Sequence, residues 1–378
     1  IKLMYAIALL QGMVFYGPIA TLYRQNRGVG LFQIALIESI SLIVMILLEI
    51  PWGVVADRIG YKKTMLLCNA LYFISKIVFW KANGFGMFLT ERLMLSVVLS
   101  GLSGCDTAFL YYNADRSEIR RVYSIYGGCN TAGYVFAALT FSVLMGSNDA
   151  LAGAATTVTY AIAFILTGFL KETAYKESLK ESIAAQCRSV MRALRQNRAV
   201  LPFLLALALL SETNLMVTVF LSQAQYLRGG VTIATIAVFA VFPAISGLLG
   251  GFSDRFAEGV GQNKLIIILF GSAAVSCLVM GLSAIPLVTV VCMVILRASA
   301  TIMMPIGNHI QNQSIDIGSR AAVLSVYSVV MNLSAAGMDV AYGSISQIST
   351  SGGMFLGFGF VKVRMILYLC WAKKQRIS

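Results

Sequence analysis

The stretch Glu49–Lys63, EIPWGVVADRIGYKK, sets a short charged passage between two long apolar runs, Gly30–Ile50 and Thr64–Trp80. Each run is long enough to cross a bilayer, because ~20 residues at ~1.5 Å rise span ~30 Å of hydrocarbon. The passage is therefore predicted to be the turn between two membrane-spanning helices. Gly53 and Gly60 permit a tight turn with close helix approach, Asp57 suits the capping and neutralising of a helix N-terminus, and Arg58, Lys62 and Lys63 are expected to stay on the cytoplasmic side. A second copy, Gly250-Gly-Phe-Ser-Asp254-Arg255, follows 197 residues later.

Only 12% of the residues are charged and 58% are hydrophobic, against about 25% charged in soluble domains, so the chain reads as a polytopic membrane protein. A formal charge of +13 would suggest nucleic acid for a soluble protein. Here the basic residues punctuate apolar runs and no basic-aromatic module is present, so positive-inside topology and anionic lipid headgroups account for the charge and no nucleic-acid partner is expected. The seven cysteines form no framework, and His309 is the only histidine, so neither a metal nor a cofactor is expected. The start at Ile1, with no small-residue cleavage pattern after the first apolar run, reads as a trimmed terminus leading into a retained helix.

Twelve spanning segments can be drawn, at 2–23, 30–53, 64–82, 86–112, 122–146, 150–170, 199–224, 230–252, 263–284, 286–308, 320–346 and 353–372. With the N-terminus inside, 20 lysines and arginines fall in inner passages and 4 (Arg24, Arg27, Lys81 and Arg228) in outer ones. That bias fixes the expected orientation, with both termini cytoplasmic. The polar interval from Lys171 divides the chain into 1–170, a linker at 171–198, and 199–378. Within the linker Ile183, Cys187, Val190, Met191 and Leu194 make a helical stripe opposite Arg188, Arg192 and Arg195. Two readings fit it: an amphipathic helix lying along the inner headgroups, or a solvated loop. The halves also repeat. Tyr123 to Gly133 aligns with Tyr327 to Gly337 at an offset of 204, sharing Tyr, Ser, Ala and Gly.

The order Gly53-x-x-Ala56-Asp57-Arg58-x-Gly60-x-Lys62-Lys63, its second copy and the twofold repeat together resemble the major facilitator superfamily of secondary transporters, over the whole chain. The resemblance implies an all-α membrane fold of twelve helices in two pseudo-symmetric six-helix bundles that alternate access to a midplane site. It also implies that segments 1, 4, 7 and 10 line a central cavity, while 3, 6, 9 and 12 form an outer support. By the same resemblance Asp57 meets the start of segment eleven near Arg320 when the cytoplasmic side closes.

Charges near mid-bilayer cost ~2.5–3.5 kcal/mol on insertion scales, so they mark function. Glu38, Glu49, Glu91, Arg92, Asp106, Glu212, Arg297, Asp339, Lys362 and Arg364 qualify, with the depth of Lys76 left open by the pattern. Cavity helices by resemblance bring Gln11, Tyr16, Asp106, Glu212, Asn214 and Arg297 forward. Glu212 and Arg297 fall near the midpoints of segments seven and ten, at similar depth. They could hold a charged substrate group or pass a proton, and a structural ion pair fits the same residues. Asp106 is expected at an inner gate with Arg58, alongside Gly53, Asp57, Gly60, Lys62, Asp254 and Arg255. Glu91 and Arg92 are expected to pair locally or snorkel at a helix end, and nothing in the pattern accounts for Lys362 and Arg364.

No nucleophile-base pair, phosphate loop or metal cluster emerges, so an enzyme is not expected. The expected function is proton-coupled export of a small amphiphilic or charged organic molecule across a bacterial cytoplasmic membrane by a monomer. Nutrient uptake and a non-transporting sensor or scaffold are the rival readings. Two features of the family's drug exporters are missing: segment five, YGGCNTAGYVFAAL, has no glycine-proline pair, and Val97 stands where they carry an arginine.

Overall fold

Backbone polar groups in hydrocarbon have no water to bond, so an apolar run satisfies them internally by coiling into a helix. The computed structural model accordingly shows helices and no strand among its described residues, which are 1–102, 105–115, 118–146, 148–171, 201–313 and 320–375. The linker at 172–198 lies outside them, as do the side chains of Gly53, Asp57, Arg58 and Arg320.

In chain order the helices are α1 (Lys2–Gly12), α2 (Ala20–Gln25), α3 (Leu31–Ile59), α4 (Tyr61–Lys81), α5 (Gly84–Leu102), α6 (Cys105–Asn113), α7 (Ile119–Thr140) and α8 (Asp149–Gly168). They continue as α9 (Leu201–Leu215), α10 (Ser222–Arg228), α11 (Ile233–Ser246), α12 (Ser253–Val260), α13 (Gln262–Leu282), α14 (Pro286–Gln313), α15 (Arg320–Ile348) and α16 (Thr350–Gln375). All twelve predicted segments are helical over most of their length, and ten stretches are long and apolar enough to cross a membrane. The other two, α4 and α15, are helices of 21 and 29 residues. Val143, Leu144, Leu282 and Leu287, each more than two-thirds exposed, present the apolar surface that lipid tails solvate.

The charged passage between segments two and three is not a loop. Helix α3 runs on through Pro51, Asp57 and Arg58 to Ile59, and the chain reverses at Gly60 alone, with φ 86° and ψ 158°. Only glycine adopts that backbone without strain. Gly60, not Asp57, occupies the cap position of α4, and Thr64 closes the first turn with N and Oγ1 donating to the Gly60 carbonyl at 3.1 and 2.9 Å. The second copy does the same: α12 carries Asp254 and Arg255, and Gly261 breaks the chain at φ 87° and ψ 131° before α13.

The chain forms two compact units, Ile1–Lys180 with Thr232–Ala244, and Glu181–Val231 with Ile245–Ser378. In the first unit small residues let helices touch, as packing in lipid favours. A Cβ on Gly12 would lie 2.0 Å from the Asn130 carbonyl oxygen, and one on Gly133 2.1 Å from that of Leu9, so α1 and α7 cross backbone to backbone. Gly101 meets Cys68 and Trp52, and Gly153 meets Trp80. The sequence repeat is not a repeat of environment, since nothing lies within 4 Å of a Cβ on Gly337. In the second unit Gly307 receives Leu207, and Gly281 receives the Phe355 ring.

Gly12→Val is therefore expected to lose at least the ~1–3 kcal/mol of a forced overpacking, read as loss of a monodisperse, cooperatively melting protein in detergent. Gly127→Ala on α7, where a Cβ meets nothing within 4 Å, should melt like the parent. Equal melting of the two variants would contradict the crossing.

Candidate functional site

Segment one does not cross as a single helix. After Gly12 the backbone leaves the helix and re-enters through a short 3-10 turn, Gly17–Ile19, ahead of α2. The backbone groups released by that break are taken up by α8. Phe15 N–H donates to Thr156 Oγ1 at 3.0 Å, Thr159 Oγ1 donates to the Met13 carbonyl at 3.2 Å, and Tyr160 OH donates to the Gln11 carbonyl at 2.7 Å. Irregular backbone at membrane depth is tolerated where protein groups satisfy it in this way, and it is a recurrent pointer to transport sites. Gly12 and Gly17-Pro18 are the signals in the sequence that mark this break.

Around the break lies a buried polar core. Helix α4 places Asn69, Tyr72 and Lys76 on one face by their three- and four-residue spacing. Gln11 Nε2 donates to Asn69 Oδ1 at 2.8 Å, and Asn69 Nδ2 donates to Thr167 Oγ1 at 2.8 Å. The Lys76 ammonium is 5% exposed and stands 5.8, 4.9 and 5.1 Å from the ring centres of Tyr16, Tyr72 and Tyr160. Its ion-pair partner is Glu91 Oε1 on α5, at 3.8 Å, and the other Glu91 oxygen is buried with no hydrogen-bond partner among the described residues. Tyr16 itself stacks on Phe79 with ring centres 3.9 Å apart and planes at 10°. Beside this pair Glu38 of α3 bridges two arginines, accepting from Arg24 Nη1 at 3.3 Å and pairing with Arg92 through its second oxygen. Arg24 also lies over Phe79 and Phe88, at 5.6 and 5.9 Å.

These contacts correct two sequence expectations and answer one question that the pattern left open. Glu91 and Arg92 neither pair with one another nor snorkel; adjacent on a helix, they diverge by about 100° and reach different partners, Lys76 and Glu38. Arg24, placed in an outer passage, is buried as part of the core. Lys76, whose depth the pattern left open, is at its centre. Gln11 and Tyr16, named for the cavity wall, are brought together here.

The second unit has its own polar core. Glu212, Thr213 and Asn214 share one turn of α9 and are all buried, Glu212 at 6% exposure. Thr213 Oγ1 accepts from Tyr342 OH of α15 at 3.1 Å and from Arg364 of α16. Asn214 Oδ1 is buried with no hydrogen-bond partner among the described residues. Immediately beyond, Met216–Leu221 widens into a π-helical turn, a distortion frequent at functional sites. Arg297 on α14 is half-buried and lies against Gly247, where a Cβ would come 3.4 Å from its Nε.

Of the expected gate residues, Asp106 accepts from Thr107 N–H at 2.7 Å and from Tyr126 OH at 3.3 Å, at the start of α6 where a carboxylate complements the helix dipole. Lys62 is half-buried in the first turn of α4. Asp254 and Arg255 are exposed, the Arg255 guanidinium standing 5.8 Å from the Phe252 ring centre. Lys362 is exposed beside Phe358, whereas Arg364 points inward.

No curated protein sequence matches the chain. Among solved structures it is similar to a variant of the nucleoside transporter NupG, with TM-score 0.83 and 14% identity over 98% of this chain and 99% of that one. A peptide transporter POT solved with sulfate gives 0.75 at 13% identity, covering 99% and 94%. A bacterial homologue of the human lysosomal transporter Spinster, inward-facing, gives 0.71 at 14%, covering 98% and 95%. At such identities the likeness shows the fold. Residues 3–338 match the sequence profile of the Major Facilitator Superfamily, nine-tenths of the chain, so this all-α, multi-pass membrane protein belongs to that superfamily of transporters and is not an enzyme.

Proposed function

We propose that the chain is a secondary active transporter that exports a small amphiphilic or charged organic molecule across a bacterial cytoplasmic membrane, driven by protons and acting as a monomer. One observation carries the reading: each unit interrupts a membrane helix beside buried polar groups. Segment one breaks next to Gln11, Tyr16 and Lys76, and segment seven takes a π turn just after Glu212 and Asn214. A scaffold has no need of irregular backbone and polar side chains at that depth, whereas a binding site does. Glu212 and Arg297, with Asn214, Gln11 and Tyr16, are the proposed contacts for substrate and coupling ion.

A melting screen of the purified protein against a small-molecule library, followed by flux of the hits in proteoliposomes, tests this. Ligand at 100 times its Kd adds ~2.7 kcal/mol of stability. Accumulation in everted vesicles under an imposed proton gradient identifies export. Accumulation in right-side-out vesicles would make the protein an uptake permease, and a protein that no compound stabilises or crosses would be a sensor or scaffold.

The proposed orientation puts both termini and the linker inside. Cys187, on a background with the other cysteines replaced, should resist an impermeant thiol reagent in intact cells. Labelling there would invert the topology.

Asp57, with Arg58, Gly60, Lys62 and the second-copy residues Asp254 and Arg255, is proposed to gate the cytoplasmic side. Asp57→Asn should shift the population towards inward-open, because the family resemblance has this carboxylate meet the start of segment eleven when the cytoplasmic side closes, and a carboxylate at a helix N-terminus is worth ~0.3–1 kcal/mol and more when partly buried. Unchanged distances between spin labels across the inner gate would reduce the motif to a topology anchor.

A further inference from the structure

Arg364 is fully buried in α16, at 0% exposure, and heads the largest buried side chains of the protein. Among the described residues its one hydrogen bond is to a neutral group, Nη2 donating to Thr213 Oγ1, which also accepts from Tyr342 OH. Among the described residues Nε and Nη1 are buried without an acceptor, and no carboxylate forms an ion pair with the guanidinium. A guanidinium does not shed its proton in a protein. Buried among neutral groups, it costs far more than a single hydroxyl returns. The contrast with the first unit is direct, since Arg24, Arg92 and Lys76 are each held by a carboxylate there.

We propose that Arg364 is the anchor of an anion site inside the second unit, and that it takes a small monovalent anion, either a free ion of chloride size or the carboxylate of a compact organic molecule. Gly357, two helical turns before Arg364 and on the same face, sets the size. A Cβ there would lie 3.0 Å from Tyr342 Oη, 3.1 Å from Cys277 Sγ and 3.3 Å from Thr213 Cγ2. A wall that already presses on a methyl group excludes a phosphate ester on that side. Thr213 links the site to the functional turn, because Glu212 and Asn214 flank it on α9. Anion binding at Arg364 releases Thr213 from its role as the only acceptor and so bears on that turn directly. The proposal stands apart from the substrate and direction assigned above, because it rests on the charge balance of Arg364 alone.

The test is the melting temperature of the purified full-length protein at constant ionic strength, with sodium gluconate replaced stepwise by chloride, bromide, formate, acetate or propionate. The expected result is a saturable rise of about 3 °C that Arg364→Met removes and Arg364→Lys weakens about tenfold in apparent affinity. Should Arg364→Met fail to fold, Arg364→Lys and the anomalous signal of bromide beside Arg364 carry the test. Halides binding best identify a free ion, and affinity rising from formate to propionate identifies a carboxylate headgroup; either supports the site. A melting temperature indifferent to the anion overturns it, as does an anion effect that survives in Arg364→Met. A response that appears only in Cys277→Ala would also overturn it, by showing that the Cys277 thiolate supplies the counter-charge.

Discussion

Glu91→Gln is expected to destabilise the protein by about 3–5 kcal/mol, the usual consequence of removing one member of a buried ion pair. The acid is 1% exposed, and its loss leaves the Lys76 ammonium, 5% exposed, facing three tyrosine rings with no counter-ion. Cation–π attraction returns only ~0.5–2 kcal/mol, too little to balance an uncompensated charge. Lys76→Met alone should cost a comparable amount, since it strands Glu91 with both oxygens desolvated. The double variant Lys76→Met/Glu91→Gln should recover most of the loss, because both charges have gone and a thioether packs well on aromatic rings. The coupling energy from the melting cycle is therefore expected to be large and favourable. Single-variant losses that simply add would mean that the two groups do not act as a pair. Flux through the stable double variant then separates roles: normal transport assigns the pair to structure, and a folded but inactive protein assigns it to the transport cycle.

The spans were legible because lipid imposes one solution on a long apolar run, whatever its detailed order. The glycine turn was legible too, since few residues other than glycine tolerate the backbone that Gly60 and Gly261 adopt. The helical character of the passage before it was not. Charged residues such as Asp57 and Arg58 read as loop in a hydropathy pattern, yet a helix that emerges from the membrane keeps its hydrogen bonds through them to Ile59.

Helix faces were harder still. A helix that is apolar all round carries little periodic signal to say which side meets lipid, so Lys362 and Arg364, two residues apart on α16, looked alike and proved opposite. Lys76 and Glu91 sit 15 residues apart across a tight turn, and only the pairing of α4 with α5 reveals them as partners. Arg24 was misplaced for a related reason: it follows the break in segment one, and a segment drawn as continuous carries its end too far outward. Gly12 and Gly17-Pro18 announced that break, but in a glycine-rich chain they read first as helix packing, which at Gly12 is also true.

Glu212→Gln is expected to abolish proton-driven accumulation while leaving counterflow exchange or ligand binding measurable. Glu212 is 6% exposed and follows the apolar run Leu201–Leu210, one residue from Thr213 and two from Asn214, with the π turn beginning at Met216. The proposed coupling sets this carboxylate against a cation of the same unit. Arg297, half-buried on α14 in the same unit, is the proposed cation. An anionic substrate that draws the guanidinium away would let Glu212 take up a proton, and its release would reverse the exchange, so substrate and proton would occupy the site in linked steps. A cationic substrate that binds Glu212 directly would compete with the proton instead, and the same substitution would then weaken binding as well as coupling. Glutamine keeps the shape and one carbonyl oxygen of the acid but cannot exchange its proton, so it uncouples in the first case and blocks in the second. A Glu212→Gln protein that still concentrates substrate against its gradient, with the parent's pH dependence, would leave Glu212 and Arg297 as structural groups and make Asp106, held by Tyr126 and the Thr107 amide, the next carboxylate to substitute.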